Sequence, residues 1–260
     1  MAPVKASALD PAGLLEAVDR AARARGFHRE PFAEIDGHRL TALTRRSPGP
    51  RPRIYLSAGI HGDEPAPPLA LLHLLEAGFF DRQAHWFLVP MLNPSGFHRG
   101  TRENAEGIDL NRDYKDVRTR EVRAHVHWLR HQPNFDLTLC LHEDWEAEGF
   151  YLYELNPHGR PSLAPAMLAA ARRHGTIQPG DMIDGRPVAA PGIIRPVDDP
   201  LMRENWPEAI YLRAHHTTLS YTLETPSPAP LAHRIDTLAA VVTGALAHLA
   251  NSRRPHAAQP

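Results

Sequence analysis

The chain has a single cysteine, Cys140, among its 260 residues. An internal disulfide is excluded, so the fold must rest on its apolar core. No run of about 18 apolar residues occurs, which argues against a membrane helix. The opening stretch, MAPVKASALDPAGLL, has no apolar segment long enough for a secretory signal. A reducing, cytoplasmic setting is the expectation from both. An excess of one charge is missing too: 29 Lys and Arg face 30 Asp and Glu, a net −1. Phosphate binding needs a basic surface, so neither nucleic acid nor a membrane is the expected partner. Internal repeats and a clear domain linker are also missing. Oligomeric state is not legible in the sequence.

What is present alternates between strand and helix signals. Asp10 before Pro11 reads as a helix cap with proline at the first helical position. The helix it opens stops at Gly26. Asp36-Gly37, between alternating segments, reads as a hairpin turn. RIYLSAG (53–59), HWFLVP (85–90), FDLTLCLH (135–142), GFYLYEL (149–155) and HTTLSYTLE (216–224) read as strands. LALLHLLEAG, RTREVRAHVHWLRH, APAMLAAARRHG and PLAHRIDTLAAVVTGALAHLA read as helices. Residues 93–116 are polar without periodicity, and so long a loop in a compact domain is functional or disordered. Residues 178–210 are proline-rich and irregular. The alternation predicts an α/β protein, a three-layer sandwich in which helices flank a mixed, mainly parallel sheet.

Three strands end in chemistry: LSAG-IHGDE, TLCL-HED and SYTL-ETPS. In open α/β sheets, ligands gather at the carboxyl ends of strands. His61, Glu64, His142 and Glu224 can therefore converge although they are far apart in the chain. Two histidines and one carboxylate make a zinc triad that leaves a position free for water. The alternative for His61 and Glu64 is a solvated turn whose acid favours the helix dipole. The loop NPSGFHRGTRENAEGIDLNRDY adds Asn111-Arg112, an amide beside a fork that can clamp a carboxylate. Arg102 in the same loop can face a developing oxyanion. A charge-balanced surface loop explains the same charges but leaves Gly96, Gly100 and Gly107 without a reason. His127 and His131 lie one helical turn apart, where a metal pair is one reading and a solvated helix face the favoured one. His215-His216 are expected to begin a strand. Glu143 and Asp144 can orient His142, contact a substrate ammonium group, or face solvent. Cys140 is expected in the core.

Taken jointly, these motifs resemble the zinc metallocarboxypeptidase family, in the sense that includes carboxypeptidase A, murein peptide amidase and, more distantly, succinylglutamate desuccinylase and aspartoacylase. GIHGDE matches the family's H-x-x-E turn. NPSG, Arg102 and DLNRDY match its N-P-D-G, its arginine and its D-L-N-R-N-F. LCLHED and YTLETPS match the later histidine and glutamate strands. The resemblance covers roughly residues 50–245.

It implies a carboxypeptidase-like fold and a single catalytic domain over 1–250, with its core at about 50–245 and a disordered tail at 251–260. It implies that His61, Glu64 and His142 bind one Zn²⁺ ion. Arg102 would polarise the scissile carbonyl, and Asn111 and Arg112 would hold the substrate's free carboxylate. Glu224 would be the general base. No motif marks the family's mobile tyrosine; Tyr211, in NWPEAIYL, is the nearest candidate for substrate binding. Ser95 and Asp113-Tyr114 depart mildly from the family pattern. The implied activity is removal of a C-terminal residue from a small peptide. Cleavage of N-acyl amino acids, as in the desuccinylase and aspartoacylase branch, is the alternative. A non-catalytic binding module with a decayed site is the second.

Overall fold

A computed structural model of the chain describes residues 10–252. Its elements run in the order α1 (Pro11–Ala24), β1 (His28–Ile35), β2 (His38–Arg45), β3 (Arg53–Ser57), α2 (Ala66–Glu76), β4 (His85–Val89), α3 (Pro94–Arg99), α4 (Arg120–Arg130), β5 (Leu137–Asp144) and β6 (Tyr151–Leu155). There follow α5 (Ala164–Ala171), β7 (Met182–Ile183), β8 (Arg186–Pro187), β9 (Ile193–Ile194), α6 (Glu208–His215), β10 (Ser220–Pro226) and α7 (Leu231–Ser252). Short 3₁₀ turns occupy Leu110–Arg112 and Pro200–Met202.

Eight strands form one sheet in the order β1-β2-β4-β3-β5-β10-β6-β9. The four central strands, β4-β3-β5-β10, are mutually parallel. The pairs β1–β2, β2–β4 and β10–β6 are antiparallel, while β9 joins β6 in parallel. Alternation along each central strand divides the core. Ile54, Leu56, Leu137, Leu139, Leu141, Tyr221 and Leu223 face one layer, with α1, α2, α5 and α7. Tyr55, Phe87 and Cys140 face the other, with α4 and α6. Both faces of the parallel strands are therefore buried, as such a sheet requires. The expected three-layer α/β sandwich is the architecture found. Among the described residues no helix is long and apolar enough to cross a membrane.

Local signals explain most boundaries. The Asp10 side chain accepts the Ala12 N–H at 3.0 Å and caps α1. Gly26 ends that helix with φ +72°, and Asp36-Gly37 turns the β1–β2 hairpin with both residues at positive φ. Four expectations differ. Residues 93–116 contain α3, capped by Asn93 and closed by Gly100 at φ +62°. Residues 178–210 contain the small β7–β8 hairpin and β9. His215 and His216 end α6 rather than begin a strand, and β10 starts at Ser220. The last helix continues through Asn251 and Ser252. The rest of the tail expected to be disordered lies outside the described residues.

Between the sheet and α4, His125 is fully buried between two hydroxyls, Tyr55 at 3.0 Å and Tyr114 at 2.7 Å. Burial pushes its imidazole down to about 3. A histidine that stays neutral when folded but takes a proton near 6.5 when unfolded disfavours the fold in acid. Its contribution is complete above pH 6.5 and is lost as pH falls toward 3, at about 1.4 kcal/mol per pH unit. Thermal melts from pH 7 to 5 should show falling Tm. In His125→Gln the melt at pH 7 should be lower but its decline with acid shallower; an equal slope would remove His125 as the cause.

Candidate active site

The carboxyl ends of the parallel strands carry the chemistry. β3 runs out through Gly59 into His61, and β4 runs out into Asn93. The two exits are laced together: the Leu92 and Asn93 N–H groups both donate to the Gly59 carbonyl, at 3.0 and 2.9 Å. The turn after His61 needs a glycine for contact rather than for φ. A Cβ on Gly62 would lie 1.9 Å from the Gly96 carbonyl carbon. Gly96 is itself enclosed, since its own Cβ would come within 2.4 Å of the Asn93 amide. Asn93 caps α3 through the Gly96 N–H at 2.9 Å, and its amide donates to the Arg102 carbonyl at 3.2 Å. The N-P-S-G stretch thus seats α3 on the His61 turn and fixes the backbone at Arg102.

His61, Glu64 and His142 are 2 %, 4 % and 3 % exposed, and one ligand atom from each lies within 4.8 Å of the others. Glu64 stands between the rings, with Oε1 2.6 Å from His61 Nδ1 and Oε2 2.9 Å from His142 Nδ1. Asp109 approaches His61 from the other side, its Oδ1 3.1 Å from Nε2. Arg102 Nε donates to Asp109 Oδ2 at 2.9 Å, and its Nη1 is 3.7 Å from Glu64. Burial opposes ionisation of Glu64, but His61 and His142 outweigh it and hold the carboxyl well below its usual range. Asp109 is held down similarly, by His61 and Arg102 against its burial. The same acids, against the effect of burial, raise His61 to about 9. Two buried imidazoles around a carboxylate, in a field that favours positive charge, suit a divalent cation of the zinc type. Asp109 stands where an outer carboxylate would orient His61 toward a metal.

Glu224 completes this end of the sheet. It is the register partner of His142 on the neighbouring parallel strand. It is half-buried; burial first, then Glu64 and Asp144, raises its carboxyl to about 8 against the pull of His142. Glu143 turns to the opposite side of β5. Its carboxylate accepts the Ala66 N–H at 2.5 Å and pairs with Arg234 of α7. α2 has no side-chain cap of its own, so Glu143 caps it from another strand and steadies the turn that bears Glu64. Asp144 accepts the Tyr151 hydroxyl at 2.8 Å.

A cleft of about 440 Å³ opens over these groups. The three metal-ligand candidates, Arg102, Asn111, Arg112 and Glu224 all line it. Asn111 Oδ1 accepts the Glu208 N–H at 2.8 Å, and Arg112 Nη1 donates to the Asn111 carbonyl at 2.9 Å. Tyr211 is the exception among the sequence-predicted site residues. It is 4 % exposed, its ring 5.9 Å from Tyr114 and 4.5 Å from His215, in the core between α6 and the sheet. Its neighbours Ala209 and Ile210 face the cleft instead. The tyrosines that do line the cleft are Tyr151 and Tyr153, side by side on β6. Both lie in the expected strand GFYLYEL. Their two-residue spacing, in a strand beside the glutamate strand, was the available signal.

Comparison with known proteins agrees with this geometry. Residues 50–178 match the succinylglutamate desuccinylase/aspartoacylase catalytic domain. Over 100 residues the chain is 32% identical to carboxypeptidase SOL1 of Arabidopsis thaliana, a match covering 30% of this chain and 20% of that protein. The chain thus spans only about a fifth of that relative's length. Among solved structures, a candidate metallopeptidase from Shewanella amazonensis is 26% identical, with a TM-score of 0.80 over 92% of this chain and 93% of the other. A metallo-carboxypeptidase from Pseudomonas aeruginosa, in complex with (2-guanidinoethylmercapto)succinic acid, shares the fold at 22% identity. Its TM-score is 0.64 over 92% of this chain and 68% of that one. The likeness expected from the sequence holds in both sequence and fold: the chain is similar to the succinylglutamate desuccinylase/aspartoacylase catalytic domain and to metallo-carboxypeptidases of known structure.

Proposed function

We propose that the protein is a zinc-dependent hydrolase that removes the C-terminal residue of a small peptide. The observation that carries this reading is the presence of Asn111 and Arg112 in the same cleft as His61, Glu64, His142 and Glu224. An amide and a guanidinium beside a metal-binding triad suit a substrate whose free carboxylate lies next to the bond to be cut. His61, Glu64 and His142 hold the ion. Bound zinc supplies Lewis acidity that acidifies a water and polarises a carbonyl. Glu224 takes a proton from the attacking water and later gives it to the leaving nitrogen. Arg102, held by Asp109, faces the oxygen on which negative charge develops. Arg112 and Asn111 fix the terminal carboxylate and so choose the last amide.

A second reading is hydrolysis of N-acyl amino acids. It is favoured by the match of residues 50–178 to the desuccinylase and aspartoacylase catalytic domain. Both readings use the same donors and the same carboxylate clamp.

Mass spectrometry of digests would separate them. The panel pairs free-acid peptides, the same peptides amidated, and N-acyl amino acids, each with and without chelator. Loss of one residue from free-acid peptides alone, abolished by chelator, is the expected result. Release of acyl groups instead would transfer the protein to the deacylase branch.

Elemental analysis should find one zinc per chain, lost in His142→Ala. Glu224→Gln should keep the zinc and lose a factor of roughly 10²–10⁴ in turnover. An active Glu224→Gln enzyme would remove this residue as the base. Arg112→Met should weaken kcat/KM for free-acid substrates by roughly 2–5 kcal/mol, the range for truncating one partner of a charge pair, provided the bound substrate covers the exposed Arg112. An unchanged kcat/KM would remove the clamp.

A further inference from the structure

Beneath the floor of the cleft, four hydrogen bonds and the chain from Asn111 to Tyr114 close a ring through five residues. Asn111 Oδ1 accepts the backbone N–H of Glu208 at 2.8 Å. The Glu208 carboxylate accepts the Tyr55 hydroxyl at 2.5 Å on Oε1 and the Ser57 hydroxyl at 2.8 Å on Oε2. The Tyr55 oxygen lies 3.0 Å from His125 Nε2, and the Tyr114 hydroxyl 2.7 Å from His125 Nδ1. Tyr114 is three residues beyond Asn111, so the ring returns to the segment from which it began. Glu208, Tyr55 and His125 are 0 % exposed, Tyr114 1 % and Asn111 8 %.

The proton directions follow from the donors available. Tyr55 gives its only O–H to Glu208, so its oxygen accepts from His125 Nε2–H. A neutral imidazole then presents Nδ1 as an acceptor, and Tyr114 donates to it. Every link runs one way, from Tyr114 to the Glu208 carboxylate. At the far end, the Glu208 N–H takes up Asn111 Oδ1. With its Oδ1 engaged by α6, the Asn111 side chain offers its NH₂ donors to a ligand in the cleft, which suits an anion. Arg112 is referenced to the same point through its bond to the Asn111 carbonyl. Glu208 also opens α6, whose Ala209 and Ile210 form a wall of the cleft, and anchors that wall to Ser57, four residues before His61.

We infer that Glu208 is a positioning residue for the carboxylate clamp, and that the ring through Asn111, Glu208, Tyr55, His125 and Tyr114 holds the Asn111-Arg112 segment ready to bind. The inference rests on the clamp proposed above. Apolar packing could supply stability at Glu208 as well as a carboxylate can. The directed hydrogen bonds supply something else, a fixed orientation for the Asn111 amide.

The test uses the zinc-loaded full chain, with succinate as a carboxylate probe that needs no turnover. Glu208→Gln keeps the shape but cannot accept from both hydroxyls. Tyr55→Phe removes one oxygen, opens the ring, and carries the test should the first variant fail to fold. Both should raise KM for free-acid peptides and the succinate inhibition constant by about tenfold, the scale of one lost hydrogen bond. kcat should stay within about twofold, and zinc content should not change. A lowered Tm with unmoved KM and succinate constant would make the ring merely structural and overturn the inference. Arg112→Met, measured alongside, separates the two failures. If it leaves succinate binding intact, the clamp itself is wrong and the inference falls with it. If Arg112→Met weakens binding while Glu208→Gln and Tyr55→Phe do not, only the ring is wrong.

Discussion

One buried carboxylate, Glu64, holds the site together. Its two oxygens reach two imidazoles that arrive from different strands, 2.6 Å to one and 2.9 Å to the other. An ionised carboxylate that is 4 % exposed is tolerable only with such partners. The partners in turn are fixed by groups outside the cluster. Asp109 holds the far side of His61, Arg102 holds Asp109, and Glu143 caps the helix that begins just after Glu64. A sheet whose parallel strands end side by side lets groups from β3, β5 and β10 meet, and the loop that carries Arg102 and Asp109 closes on them.

The same neighbourhood drives two glutamates in opposite directions. Glu64 and Glu224 both lie near His142, and burial raises the pKa of each. Glu64 touches two imidazoles and falls well below its usual range. Glu224 has His142 at its side but also the charges of Glu64 and Asp144, and rises to about 8.

Much of this was legible in the sequence, for a physical reason. Buried parallel strands are continuous apolar runs, so polar residues at their ends stand out, and His61, Glu64, His142 and Glu224 were visible as such. Asn111 and Arg112 were visible because an amide and a guanidinium adjoin in a glycine-bearing loop. α6 was not visible: eight residues of mixed character after a proline have too little periodicity to read. With α6 hidden, Tyr211 looked available to the cleft, whereas the helix sets Ala209 and Ile210 against the cleft and packs Tyr211 into the core. Glu208 and Asp109 went unassigned because their partners are distant in the chain. The Tyr55 hydroxyl is 153 residues from Glu208, and His61 is 48 from Asp109. Such pairings belong to the fold and leave no local trace.

The contact between Gly62 and Gly96 makes two distant stretches into one mechanical part. With no side chain on either residue, the His61 turn and the α3 backbone touch directly, and the room for a Cβ at position 62 is already taken by the Gly96 carbonyl carbon at 1.9 Å. A methyl group there would not enlarge a pocket or fill a void. It would lift α3, and with it the Asn93 bridge to Arg102, away from the turn that carries His61 and Glu64. The distance between the His61-Glu64 turn and the backbone at Arg102 is therefore set by two backbones in contact. A change on one side of that seam can be accommodated only by a matching change on the other, so GIHGDE and NPSG are constrained to vary together.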